Sequence, residues 1–237
     1  MTDDDPEAIV MDFFAGSGTT GHALWEANII DGGRRRFVLV QLPERLSVDN
    51  REQAKAAKFC DKLGKPRTIA ELTKERLRRS AAQIRESNQD VALDLGFRVF
   101  KLDSSNIREW EPSREDIAES LEAHVQNLRT NRTEQDILYE LLLKRGLDLC
   151  VPIETKEIAG KTVYSIGAGT LFACLSESIT PDEGEPLALG IVAWHQELDP
   201  AGDTTVVFRD SAFADDVVKT NVAAILDQSG LKNVRSL

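Results

Sequence analysis

Gly16, Gly18 and Gly21, with Ser17, Thr19 and Thr20 set among them, are the residues whose types and spacing could do chemistry in this chain. Gly16 and Gly18 lack the Cβ atoms that would hold a ligand off the main chain, so backbone N–H groups can approach an anionic group. Thr19 and Thr20 add hydroxyl donors at the start of a predicted helix, where the macrodipole also favours negative charge. The pattern describes a cradle for a small molecule.

The elements that must position this turn are legible on both sides of it. Ile9 to Phe14 reads as a buried strand, Thr19 to Asn28 as the helix that follows, and Asp31-Gly-Gly33 as the turn into a second strand, Phe37 to Leu42. Together they predict a β-α-β crossover with its ligand at the carboxyl ends of the strands. Gly16-Ser-Gly18-Thr-Thr-Gly21 satisfies the dinucleotide pattern G-x-G-x-x-G, which calls for an acid about 20 positions later to hold a ribose. That strand end carries the amide Gln41, with Glu44 three residues beyond. An amide thus stands where a dinucleotide site wants a carboxylate, which counts against an NAD-binding Rossmann protein; S-adenosylmethionine is the competing ligand, and the glycine motif by itself fits both.

The residues around the glycines carry a resemblance as well. Asp12-Phe-Phe-Ala-Gly-Ser-Gly-Thr-Thr20 resembles the cofactor motif of amino-methyltransferases that modify DNA. More narrowly, DFFAGSGTTGHAL, FVLVQLPE, GFRVFKLDSSNI, TEQDILYELLLKRGLDL, EIAGKTVYSIG and VVFRDSAFADDVVKTNVAAIL resemble stretches of the modification (Mod) subunit of type III restriction-modification systems. The resemblance implies a site-specific, adenine-N6 DNA methyltransferase that uses S-adenosyl-L-methionine. It also implies a Mod homodimer that holds a restriction (Res) subunit and acts on duplex DNA. The implied cofactor residues are Asp12, Phe14, Ala15, Gly16, Ser17, Gly18, Thr19, Thr20, Gln41 and Glu44. Asp12 would accept from the cofactor amine or orient the turn, Phe14 would pack on the cofactor, and Thr19 and Thr20 would bind its carboxylate. Gln41 stands where related methylases place an acid for the ribose hydroxyls, with Glu44 as the alternative.

These methylases grip the target amine with a Pro-Pro-aromatic loop whose ring stacks on the flipped base. No such tetrapeptide occurs here. In the family, that loop and the DNA target-recognition region precede the glycine motif. The resemblance thus implies a C-terminal portion of a Mod subunit, with no catalytic residue of its own and no methylation by the isolated chain.

Charge points the same way. The chain of 237 residues has a formal net charge of −11, whereas a free-standing DNA binder usually shows a basic face. Lys and Arg balance Asp and Glu through Asp90, so the whole acidic excess lies beyond it. Independent DNA affinity is expected to be weak or absent. No apolar run reaches the roughly 18 residues of a membrane span, and Cys60, Cys150 and Cys174 suit buried thiols in a reducing cytoplasm. His22, His124 and His195 share no spacing with one another or with the cysteines, so neither a metal site nor a nucleophilic triad is expected.

The expected fold class is α/β: a partial Rossmann-like S-adenosylmethionine-dependent methyltransferase lobe over residues 1–111, then a smaller α/β domain over 112–237. In the first, Asp49 to Leu63 and Thr68 to Ser87 predict helices. The second of these carries Lys74, Arg76, Arg78, Arg79 and Arg85, for phosphate contact or as a solvated face balanced by Glu71, Glu75 and Glu86. Phe97 to Leu102 alternates like a strand, and the boundary falls near Trp110 and Pro112. In the second, Ser113-x-x-Asp116 and Thr133-x-x-Asp136 resemble capping boxes before apolar helices, and Leu141 to Leu143 serves the core or a subunit contact. Val163 to Ile166 and Leu171 to Leu175 predict a hairpin around Gly167-Ala-Gly169. Thr205 to Phe208 predicts a strand and Asp216 to Gln228 a helix ended near Gly230. Asp210 to Phe213 predicts a turn between those two, and Leu187 to Trp194 fits strand or helix.

Overall fold

A computed structural model of the chain describes residues 5–88, 94–107, 128–129 and 131–237. The protein is mixed α/β and divides into two units, Met1–Val99 and Phe100–Leu237. The expected capping box at Ser113 and the expected boundary near Trp110 lie outside the described residues, as does His124.

In the first unit, β1 (Ile9–Asp12), α1 (Thr19–Asp31) and β2 (Arg36–Leu39) are followed by α2 (Ala54–Lys62) and α3 (Ile69–Ser87). β1 and β2 pair in parallel, Ile9 opposite Arg36 and Asp12 opposite Leu39, with α1 as the crossover. Phe37 and Leu39 join Trp25 of α1 and Leu77, Ala81 and Ile84 of α3 in one apolar cluster. Trp25 meets Phe37 edge-on, with ring centroids 5.4 Å apart. The buried Asn28 amide fixes the return of the chain, donating to the Arg35 carbonyl at 2.9 Å and accepting from the Arg35 N–H at 3.1 Å. A second cluster, Leu46, Ala57 and Cys60 with Ile69 and Leu72, ties α2 to the start of α3.

The second unit holds α4 (Glu134–Lys144), β3 (Ile153–Ile158), β4 (Lys161–Ile166), β5 (Leu171–Cys174), α5 (Pro181–Leu198), β6 (Thr205–Phe208), a 3₁₀ turn at Asp210–Ala212, α6 (Asp216–Gln228) and β7 (Asn233–Ser236). The strands lie in the order β3-β4-β5-β6-β7, the first two pairings antiparallel and the last two parallel. Period-two alternation sorts the side chains into two cores. Val163, Phe172, Cys174, Val206 and Phe208 face α5 and α6, whereas Tyr164, Ile166, Leu171, Ala173 and Val207 face α4. Thr133 caps α4 with the predicted reciprocal bonds to Asp136.

Two predictions arise from these cores. Ser165 is buried and its hydroxyl has no hydrogen-bond partner among the described residues. Since an unmade hydrogen bond costs the desolvation of the group, on the order of 1 kcal/mol or more, Ser165→Ala is expected to raise the urea midpoint. Tyr164 donates its hydroxyl to Glu134 Oε2 at 2.9 Å, and burial, aided by that carboxylate, pushes its pKa from 10.0 up to about 12. Because the fold favours the neutral phenol, this contribution to stability is complete below pH 10 and is lost as pH rises towards about 12. Denaturation of Tyr164→Phe against the parent across that window should show a shallower alkaline decline in the variant.

The structure corrects several expectations. Phe97 to Leu102 is not a strand. Phe97 packs on the Trp25 cluster, and the chain beyond it runs as coil whose polar groups are taken up by α4 and the loop before it. Glu140 accepts from Ser105 Oγ at 2.5 Å and Asn106 N at 2.6 Å, and Arg132 donates to Asp103 at 2.7 Å. Those bonds anchor residues 103–106, just past the predicted strand, and Phe97 to Leu102 joins neither sheet among the described residues. Cys150 is exposed, unlike Cys60 and Cys174; burial raises the Cys174 thiol to about 11. Leu141 and Leu142 are core, but Leu143 is 62% exposed, since three consecutive helical residues cannot share one face. Leu187 to Trp194 lies within the helix α5. Both first-unit strands stop short, at Asp12 and Leu39, and the predicted Asp49 helix begins at Ala54.

Candidate ligand-binding turn

The glycine turn leaves β1 at Asp12 and enters α1 at Thr19, and side chains from three elements hold it. Asp12 uses both carboxylate oxygens: Oδ1 accepts from the Phe14 N–H at 3.0 Å and Oδ2 from the Thr20 hydroxyl at 2.5 Å. The strand end is thereby tied to the first turn of the helix. Gln41 Oε1 accepts from the Gly16 N–H at 2.7 Å, while its Nε2 donates to the Leu42 carbonyl at 3.0 Å. From α3, the Thr73 hydroxyl donates to the Gly16 carbonyl at 2.6 Å. The Gly18 N–H closes the turn on the Ala15 carbonyl at 2.7 Å.

Each glycine meets a different demand. Gly16 has φ +52° and Gly18 has φ +79°, the left-handed region that only glycine enters without strain. A Cβ on Gly18 would also stand 2.9 Å from Thr73 Cγ2. Gly21 is pinched instead, its missing Cβ lying 3.0 to 3.3 Å from Leu77, Leu39 and Phe37, so α1 can sit close on the sheet and on α3. The turn is a braced backbone arch whose outer rim carries half-buried Ser17 and exposed Thr19, their hydroxyl oxygens 3.3 Å apart.

Of the ten residues singled out from sequence, nine gather around this arch or its Gln41 brace. Ala15 is buried inside it, and Phe14 stands beside it, 89% exposed. Glu44 is the exception: its side chain is exposed, and its backbone joins a different bridge, its carbonyl accepting from the Ile69 N–H at 3.2 Å. Thr73 was missed by sequence reading, and a threonine within a helix gives no signal that could have found it.

The start of α1 can receive an anionic group. The amides of Thr19, Thr20 and Gly21 open α1 without intrahelical acceptors, beside the Thr19 hydroxyl, and that set suits a carboxylate. The Gly16 and Gly18 amides are consumed by the turn itself, so their glycines shape the cradle rather than donate into it. Among the described residues, no group of three or more His, Cys, Asp or Glu side chains is placed to hold a metal. His22 pairs instead with Glu26 on the same helix at 3.3 Å. On α3, Lys74 pairs with Glu71, and Arg78 and Arg79 pair with Glu75. No helix among the described residues is long and apolar enough to cross a membrane.

Comparison with known proteins places the chain beside methyltransferases of restriction-modification systems, and it contains a stretch similar to type III Mod subunits. The Mod subunit of the type III restriction-modification enzyme StyLTI from Salmonella typhimurium is 42% identical over 97 residues, 41% of this chain and 14% of that subunit. The EcoP15I Mod subunit from Escherichia coli is 38% identical over 98 residues, 41% of this chain and 13% of its own length. The type II methyltransferase M.KpnI from Klebsiella pneumoniae is 53% identical over 36 residues, 15% of this chain and 9% of that enzyme. The matched stretch is thus about a seventh of the Mod relatives' length or less. No protein-family profile matches the chain.

Proposed function

We propose that this chain carries the S-adenosylmethionine-binding half-site of a type III DNA methyltransferase, within a partial Rossmann-like lobe. The observation that carries the reading is the arch itself: a parallel strand end, Asp12, tied to Thr20 at the start of the following helix, with Gly16 and Gly18 in left-handed conformations between them. Similarity to the StyLTI Mod subunit supports it. When bound, the cofactor would supply an electrophilic methyl group through its sulfonium. The chain's own residues would hold and orient it. The helix amides and Thr19 would take the carboxylate, Phe14 would cover the adenosyl portion, and Gln41 would brace Gly16 rather than serve the ribose, leaving Glu44 as a peripheral acceptor. Adenine N6 in duplex DNA is the methyl acceptor in this reading, and the cytoplasm the site of action. The isolated chain would not methylate, because it lacks the Pro-Pro-aromatic loop. The acidic second unit would serve Mod dimerisation or Res binding.

Calorimetric titration with S-adenosylmethionine, S-adenosylhomocysteine and NAD tests the reading. Saturable binding of the two adenosyl-sulfur ligands is expected; binding of NAD alone would sink it. Asp12→Ala should weaken that binding at least tenfold, since it releases the Phe14 amide and the Thr20 hydroxyl together. Asp12→Asn, which keeps an acceptor for the Phe14 N–H, should lose less.

A further inference from the structure

The glycine turn holds one backbone donor that its own bonds leave unused. The Gly16 and Gly18 N–H groups are spent on Gln41 and Ala15, but the Ser17 N–H between them meets no acceptor among the described residues. That N–H belongs to the same peptide unit as the Gly16 carbonyl. In a planar trans unit the two point in opposite directions, so whatever holds the carbonyl also aims the N–H. The holder is Thr73, whose hydroxyl donates to the Gly16 carbonyl at 2.6 Å.

The place of Thr73 is fixed by contacts outside the turn. It is buried in α3, whose Leu77, Ala81 and Ile84 pack in the Trp25 cluster. One helical turn earlier, the Ile69 N–H donates to the Glu44 carbonyl at 3.2 Å, and Thr68 bridges to Arg45. The Thr73 hydroxyl has a single proton, and Gly16 is a nearer acceptor than the Ile69 carbonyl at 3.1 Å. The Gly16 carbonyl is thereby drawn towards α3, and the Ser17 N–H is turned away from it.

This orientation has one competitor. The Gly18 N–H bond to the Ala15 carbonyl at 2.7 Å closes a four-residue turn in which Gly16 has φ +52° and Ser17 does not share the positive φ, the II′ form. Turning the central peptide over gives the I′ form, which needs both central residues at positive φ. Two restraints therefore oppose the flip: the Thr73 hydroxyl and the cost of a left-handed serine.

We propose that Thr73 is a positioning residue for the ligand turn: it holds the Gly16–Ser17 peptide so that the Ser17 N–H is presented to the ligand and not to α3. The proposal rests on the half-site reading and adds to it a residue from outside the glycine motif.

Calorimetric titration with S-adenosylmethionine across a double-mutant cycle tests it. Thr73→Val keeps the shape and Cγ2 but removes the donor, leaving the Gly16 carbonyl against a methyl group. Ser17→Gly removes the cost of the left-handed alternative. Each variant alone keeps one restraint, so each should weaken binding by no more than about threefold. Together they free the peptide, and binding should fall by about thirtyfold or more, beyond the product of the two, because only the competent fraction binds. Thr73→Ser in the Ser17→Gly background restores the hydroxyl and should bind within about threefold of the parent. The ligand-free chain gives a second readout. In the turned-over peptide the amide protons of residues 16 and 17 lie close, so a strong nuclear Overhauser cross-peak between them should appear in the double variant and not in the parent. Single effects that merely multiply, or a double variant without the cross-peak, would overturn the proposal. If the parent binds no S-adenosylmethionine, the half-site reading fails, and the cross-peak alone decides whether Thr73 sets the peptide.

Discussion

Gly18→Val should abolish binding of S-adenosylmethionine and destabilise the first unit by about 3 kcal/mol, read by calorimetry and urea denaturation. Two effects add. Left-handed backbone costs an L-residue roughly 1–2 kcal/mol, more when it is β-branched, and Gly18 sits at φ +79°. Overpacking costs about 1–3 kcal/mol, and the new Cβ would stand 2.9 Å from Thr73 Cγ2 and 3.4 Å from the Thr73 carbonyl. The two can be separated. Thr73→Ser deletes Cγ2 but keeps the hydroxyl that donates to Gly16 at 2.6 Å and to the Ile69 carbonyl at 3.1 Å. Gly18→Ala in that background should therefore lose only the conformational part. A coupling of about 0.5–2 kcal/mol in the double-mutant cycle is the expected signature, and strict additivity would show that Thr73 does not crowd the turn.

The second large effect is expected in the other unit, where Gly190→Ala should destabilise by about 2 kcal/mol despite lying inside α5. Helix propensity alone predicts the opposite sign, a gain of about 1 kcal/mol. The packing decides: a Cβ at Gly190 would fall 2.2 Å from Ile158 Cγ2, an atom fixed directly on the branched carbon of a β3 residue. Relief therefore requires α5 or β3 to move. Ile158→Ala removes the obstructing group, so the double variant should recover most of the loss seen with Gly190→Ala. If Gly190→Ala raises the melting midpoint in the parent background, the close approach of helix and strand is not what this glycine serves.

How far the sequence disclosed this protein depended on the range over which each signal acts. The arch was legible because its glycines, hydroxyls and flanking apolar runs are neighbours in the chain. The brace was only half legible. Gln41 stood out as an amide where an acid was sought, but its bond to Gly16 spans 25 residues, and the Thr73 bond spans 57. Neither leaves a local trace. The capping box at Thr133 and the hairpin around Gly167-Ala-Gly169 were readable for the same local reason. β3 and β7 were not read as strands, because edge strands with solvated faces carry polar sequences, here IETKEI and NVRS. α5 was ambiguous because Gly184, Pro186 and Gly190 interrupt its apolar periodicity.

The mixed pairing of the five-stranded sheet carries a consequence for the order in which it assembles. β3 and β4 are joined across Ala159 and Gly160, both at positive φ, in the kind of tight turn that matches the twist of its strands. β5 follows after one short loop, so three strands can close on contacts near in sequence. β6 can join only after the whole of α5 has been laid across the sheet, and β7 only after α6. Loop-closure entropy must be met before those parallel ladders form. In pulse-labelled refolding, amides of the β3–β4–β5 meander should gain protection first and those of β7 last, which leaves the Val206 to Phe208 edge bare for the longest time and makes it the place where a crowded refolding mixture would begin to aggregate.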